Sequence, residues 1–123
     1  MKRRQLSLMV LGLLLSGSAA SAQASLRMIN SFPSANAIMD GRSTRFSVMF
    51  DGPVDHAASR LVIEQNGVVQ QILTPRLNSQ PNTLYSDGHP LKPGDYTLRW
   101  DAHGQHGGAI GTGAIAFKVG VSS

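Results

Sequence analysis

Four histidines, His56, His89, His103 and His106, and the methionines Met28, Met39 and Met49 are the side chains of this chain best suited to hold a metal ion. Two of the histidines fall with Asp101 inside the six-residue stretch Asp101-Ala102-His103-Gly104-Gln105-His106, which runs on into Gly107-Gly108. Neutral imidazole and carboxylate suit copper(II), nickel or zinc, and the glycines let the backbone turn so that alternate side chains converge. The same residues fit a polar, glycine-rich loop whose histidines are merely solvated, and spacing alone leaves both readings open.

The other candidates have simpler explanations. Asp87-Gly88-His89-Pro90 has turn chemistry throughout and reads as a surface turn. His56 follows Val54-Asp55 in an expected loop. Thioethers from Met28, Met39 and Met49 would suit copper(I), but methionine is ordinary core filler, and core is the reading adopted. There is no cysteine, so disulfides, thiolate metal sites and a cysteine nucleophile are excluded. The chain has no G-x-S-x-G elbow and no H-E-x-x-H, and its single glutamate is Glu64. Gly111-Thr112-Gly113 is expected to follow a loop and open a strand, leaving no helix N-terminus for a phosphate. The sequence therefore argues against an enzyme.

The elements that must position these side chains begin after an export signal. Lys2, Arg3 and Arg4 precede the apolar run Leu6 to Leu15, which is too short to span a bilayer and gives way to small residues ending in Ala22-Gln23-Ala24. Cleavage before Ser25 is preferred to the competing site before Gln23, because Leu26 then opens a strand-like segment. Residues 1–24 are thus expected to be a secretory signal and residues 25–123 one domain. The whole chain of 123 residues carries 11 Lys+Arg against 7 Asp+Glu, but three of those basic residues leave with the signal, so the remainder has a net charge of only +1. Its basic residues are scattered, which excludes a nucleic-acid binder and a polybasic membrane anchor.

Residues 25–123 show short hydrophobic alternations separated by Gly, Pro, Asn and Asp, with no helical period. The clearest strand is Gly94 to Asp101, with Tyr96, Leu98 and Trp100 on one face; Gly113 to Val121 repeats it with Ile115, Phe117, Val119 and Val121 inward. Arg45 to Phe50 is another strand. Leu61 to Gln65 and Val68 to Leu73 flank Asn66-Gly67, the strongest short hairpin signal, because both central residues of a type I′ turn need positive φ. Leu26 to Ile29 and Thr83 to Tyr85 are weaker candidates. About seven strands in a chain of this length make an all-β, immunoglobulin-like β-sandwich the leading architecture, with a small barrel as the alternative. Alternation past Trp100 puts Asp101 and His103 on the side away from the core, and a turn at Gly104 must bring His106 back.

These motifs, in this order, resemble the CopC family of periplasmic copper-resistance proteins. Ser25-Leu26-Arg27-Met28-Ile29-Asn30-Ser31-Phe32-Pro33 is similar to the family's opening strand and Ser-x-Pro, and Phe46 to Val54 resembles its strand ending in F-x-x-P-V. Leu91-Lys92-Pro93-Gly94-Asp95-Tyr96-Thr97-Leu98-Arg99-Trp100 resembles L-x-x-G-x-Y-x-V-x-W, and Gly113 to Val119 the closing G-x-x-x-F-x-V strand. The resemblance implies a seven-stranded sandwich that binds copper in the periplasm and hands it on, often to an inner-membrane partner of the CopD type, touching the membrane only through that partner. It further implies a copper(II) site built from an N-terminal histidine, through amine and imidazole, and the Asp and His of a D-G-H loop after the Trp strand. Here Ser25 stands at the N-terminal position, keeping an amine without an imidazole. The loop reads Gln105-His106-Gly107-Gly108, so His106 falls near the family's Asp and a glycine near its His. The expected ligands are therefore Ser25, Asp101, His103 and His106, for copper(II) rather than copper(I). The alternative is a metal-free, immunoglobulin-like interaction module of the cell envelope, which keeps the fold without the copper.

Overall fold

The computed structural model describes residues 25–105 and 108–121; the expected signal, residues 1–24, lies outside the described residues, as do His106 and Gly107. Eight strands follow one another: β1 (Met28–Phe32), β2 (Ile38–Asp40), β3 (Arg45–Phe50), β4 (Arg60–Gln65), β5 (Val68–Leu73), β6 (Thr83–Asp87), β7 (Gly94–His103) and β8 (Ile110–Gly120). They form a three-stranded sheet in the order β1-β3-β6 and a five-stranded sheet in the order β2-β8-β7-β4-β5. The β-sandwich is as expected, with one strand more.

The additional strand is β2. Its three residues are too few for alternation to show, and it is defined by its neighbour: Met39 pairs with Val119 in a parallel ladder on β8. The strong strands behave as their patterns require. On β7 Tyr96, Leu98, Trp100 and Ala102 are buried, while Asp95, Arg99 and Asp101 are exposed. Ile115, Phe117 and Val119 of β8 face the same core, but Val121 lies beyond the strand and is 83% exposed, contrary to its expected inward position. At the β4–β5 hairpin Asn66 and Gly67 have φ of 53° and 78°, the positive values a type I′ turn demands.

Facing side chains of the two sheets close the core. Phe46, Val48 and Phe50 of β3 meet Leu98 and Phe117 from the larger sheet, all essentially without exposure. Each such burial contributes about 1.5–3 kcal/mol. Tyr96 stacks on Phe117 at 5.7 Å, and its hydroxyl donates to the Lys92 carbonyl at 2.7 Å. That bond to a backbone carbonyl four residues upstream, just ahead of β7, resembles the tyrosine corner of immunoglobulin-like sandwiches.

Gly111-Thr112-Gly113 lies in the opening residues of β8, as expected. Both glycines are there for space. A Cβ on Gly113 would come within 2.5 Å of the Trp100 ring, and one on Gly111 within 2.5 Å of the Leu26 carbonyl oxygen.

Among the described residues one buried polar group lacks a partner. The Ser86 hydroxyl, on the inward face of β6, is fully buried and makes no hydrogen bond to any described residue. Because an orphaned hydroxyl costs its desolvation without return, Ser86→Ala is expected to raise stability by about 1 kcal/mol in urea denaturation. A loss of that size instead would mean that the hydroxyl is partnered.

Candidate metal centre

Three of the candidate ligands, Ser25, Asp101 and His103, sit where β7, β8 and the start of the described chain meet. β7 runs two residues past its expected end, so Asp101 and His103 are successive outward positions separated by the buried Ala102. Their side chains approach, His103 Nε2 lying 3.6 Å from Asp101 Oδ1, and both remain about half exposed. This is the convergence expected from alternation.

The register brings the start of the domain to the same place. His103 pairs with Ile110 on β8, and on the other side of Ile110 stands Ser25 in a parallel bridge. Residues directly opposite one another on neighbouring strands share a face. Ser25, Ile110 and His103 therefore form one outward row, and Ser25 and His103 are two strand spacings apart, about 10 Å between Cα atoms. The segment is anchored on the inward side by Leu26, 8% exposed, whose N–H donates to the Ile110 carbonyl at 3.1 Å. Arg27 adds a reciprocal pair with Asp51: its N–H donates to the carboxylate, and the Asp51 N–H donates to its carbonyl, both at 3.0 Å.

A second set of bonds holds the end of β7 from the β4 side. The β4–β7 ladder stops at the pair Arg60 and Asp101. Beyond it the Asp55 N–H donates to the His103 carbonyl at 2.7 Å, and the His103 N–H donates to the Ser59 hydroxyl at 2.9 Å. Ser59 in turn donates to the Asp55 carbonyl at 2.7 Å. The Asp55 carboxylate accepts the N–H groups of Ala57 and Ala58, which shapes this turn. Past His103 the Gly104 N–H donates to the Ala109 carbonyl at 2.8 Å, and a Cβ at Gly104 would lie 2.7 Å from that of Ala109, so the tight reversal requires glycine.

Asp101 and His103 are thus brought together, Ser25 is placed across Ile110 from them, and His106 lies outside the described residues. Among the described residues no three His, Cys, Asp or Glu side chains group to hold a metal. The Asp101 carboxylate and the His103 imidazole are donor types that copper(II) accepts.

The remaining histidines and the methionines are engaged elsewhere. His56 Nε2 lies 2.9 and 3.0 Å from the carbonyl oxygens of Gln80 and Thr83, two acceptors that assign the proton to that nitrogen and make the ring a structural brace. His89 sits in the irregular connection between β6 and β7, where its backbone N–H and C=O pair with the Gln71 side-chain amide. Met39 is core, Met28 packs against the core, and Met49 is half-buried at an outward position of β3. Met39, on β2 of the larger sheet, and Met49, on the outward face of the smaller one, therefore belong to different sheets. Ser59 and Asp55 carried no motif, and sequence reading passed over them; the one hint was a short polar turn just before a strongly apolar strand.

Comparison with known proteins bears on this arrangement. The sequence profile of the CopC domain matches residues 28–120. The chain belongs to the CopC family. As a CopC domain it is similar in fold to CopC from Methylosinus trichosporium OB3b, with a TM-score of 0.69 and 22% identity over 77% of this chain and 93% of that one. It is also similar to PcoC, a methionine-rich copper resistance protein from Escherichia coli, with a TM-score of 0.59 and 17% identity over 78% of this chain and 99% of that one. Comparison with curated protein sequences gives no significant match.

Proposed function

We propose that this CopC domain is exported to the periplasm, where it binds copper(II) and carries it in copper resistance or homeostasis. The observation that carries the reading is the row Ser25, Ile110, His103, with Asp101 beside His103. It gathers three of the four expected donors on one outward patch. In this reading the Ser25 amine, the Asp101 carboxylate and the imidazoles of His103 and His106 hold the ion. The site forms and breaks no substrate bonds, so the protein is a carrier and not an enzyme. Release is to an inner-membrane partner of the CopD type. The fold shared with PcoC, a copper resistance protein, supports the same reading.

The amine exists only if the signal is removed at the right bond. Intact mass of protein recovered from the periplasm is expected to correspond to residues 25–123. A start at Gln23 would move the amine two residues away from its place beside Ile110, and a mass that includes Met1 would remove the export reading. Copper(II) titration of the mature protein, followed by visible absorption and electron paramagnetic resonance, tests the function. One equivalent of nitrogen- and oxygen-ligated copper(II) is expected.

A second reading, the metal-free interaction module, is favoured by the fact that only Asp101 and His103 approach one another among the described acidic and histidine residues of the patch. A titration with no stoichiometric copper(II) signal would select it.

A further inference from the structure

We propose that Ser59 is a positioning residue for copper(II): its buried hydroxyl fixes the backbone that carries the His103 imidazole, and so sets the affinity and geometry of the bound ion. The inference rests on His103 being a ligand.

β7 is held along most of its length by ladders on both sides, but its last two residues have lost β4. On that side the Ser59 hydroxyl and the Asp55 backbone take over, receiving the His103 N–H and donating to its C=O. Ser59 is only 2% exposed, and its Oγ accepts from His103 at 2.9 Å while donating to Asp55 at 2.7 Å. Both hydrogen-bonding capacities of one hydroxyl are therefore used to tie the 55–59 turn to the end of the strand. No other side chain bonds the His103 backbone among the described residues.

Removing the hydroxyl leaves the partly buried His103 N–H without that partner. A buried N–H in that condition loosens its surroundings until it finds one. The displaced atom is one bond from the Cα that aims the imidazole at the Asp101 side. Copper(II) has marked geometric preferences, and loss of outer supports to metal ligands typically weakens binding by about 10–100-fold.

The test compares Ser59→Ala, Ser59→Thr and Ser86→Ala with the parent, using copper(II) itself as the probe. Ser86→Ala removes another buried serine hydroxyl, one with no hydrogen-bond partner among the described residues. Ser59→Ala is expected to weaken copper(II) about tenfold and to alter the copper hyperfine pattern in electron paramagnetic resonance. Ser59→Thr, which keeps a hydroxyl, and Ser86→Ala should retain the parent affinity and spectrum. In the metal-free protein the His103 amide should exchange with solvent at least about tenfold faster in Ser59→Ala, while the Leu98 amide is unchanged; this reading does not need copper and survives if the threonine variant packs badly. Ser59→Ala with the parent spectrum and affinity would overturn the proposal, as would an equal loss in Ser86→Ala. A parent copper signal that ignores His103→Ala would overturn the ligand assignment itself, and the inference with it, and that failure is read on a separate variant.

Discussion

Trp100→Ala is expected to lower the unfolding free energy by about 3–5 kcal/mol, the range for deleting a large aromatic from a packed core. Trp100 is 5% exposed, and its ring meets Phe50 of the opposite sheet edge-on, with centroids 6.4 Å apart and planes at 74°. On its own sheet the ring lies over Gly113, its cross-strand partner, where no side chain exists to fall into the space it would vacate. The cavity would be walled by two hydrogen-bonded sheets that cannot collapse far. Against a total stability of roughly 5–15 kcal/mol for a domain, such a loss takes a large share. Trp100 is also the chain's one tryptophan, so unfolding should be followed by far-ultraviolet circular dichroism in urea rather than by fluorescence. A loss below about 1 kcal/mol would mean that the ring does not bridge the sheets. Gly113→Val is the converse test. It forces a branched side chain into the ring and should also destabilise, by overpacking.

Much of this architecture was legible because its strands obey period-two alternation over lengths that exclude coincidence. Tyr96, Leu98 and Trp100 on β7 and Ile115, Phe117 and Val119 on β8 assigned both inward faces, and Asn66-Gly67 located a hairpin through the φ values those residues tolerate. What escaped was structure that exists only through distant partners. β2 is three residues long and owes its strand character to a parallel ladder on β8, eighty positions away in the register of Ile38 with Lys118. Gly111-Thr112-Gly113 could be placed at the opening of a strand, but no sequence pattern shows that Leu26 and Trp100 occupy the space beside the two glycines. Val121 continued the alternation of β8, but alternation does not say where the opposing sheet ends.

The candidate site divides along the same line. Asp101 and His103 share a face by local geometry, so their proximity was foreseeable from two residues on one strand. Ser25 reaches the patch through a parallel bridge to Ile110, a long-range pairing with no local sequence signal. The Ser59 hydroxyl is further still from recognition: a lone serine in a turn acquires its role only when the end of β7 runs beside it.

The copper(II) reading makes the other large prediction. A His103→Ala/His106→Ala double variant is expected to bind copper(II) at least about 100-fold more weakly than the mature parent, since losing mere outer supports of a metal ligand already costs about 10–100-fold. Direct titration with a competing chelator measures it. Stability should change little, because His103 is half exposed at an outward position and its backbone bonds to Ser59 and Asp55 do not depend on the imidazole. Acid should release the ion from the parent. A protonated imidazole has no lone pair for the metal, so binding releases protons and weakens as pH falls. With two imidazoles and the Ser25 amine among the ligands the dependence should be steep, up to three protons displacing each copper, and a single His103→Ala variant should lower that slope by one. Loss of binding in the double variant with a copper spectrum restored by neither single histidine would place both rings on the ion. Undiminished binding in the double variant would remove the patch from the reading and leave His56, His89 and the methionines as the donors to be varied next. His56 would be the less suitable of those two histidines, since its Nε2 proton is already committed to two carbonyl oxygens.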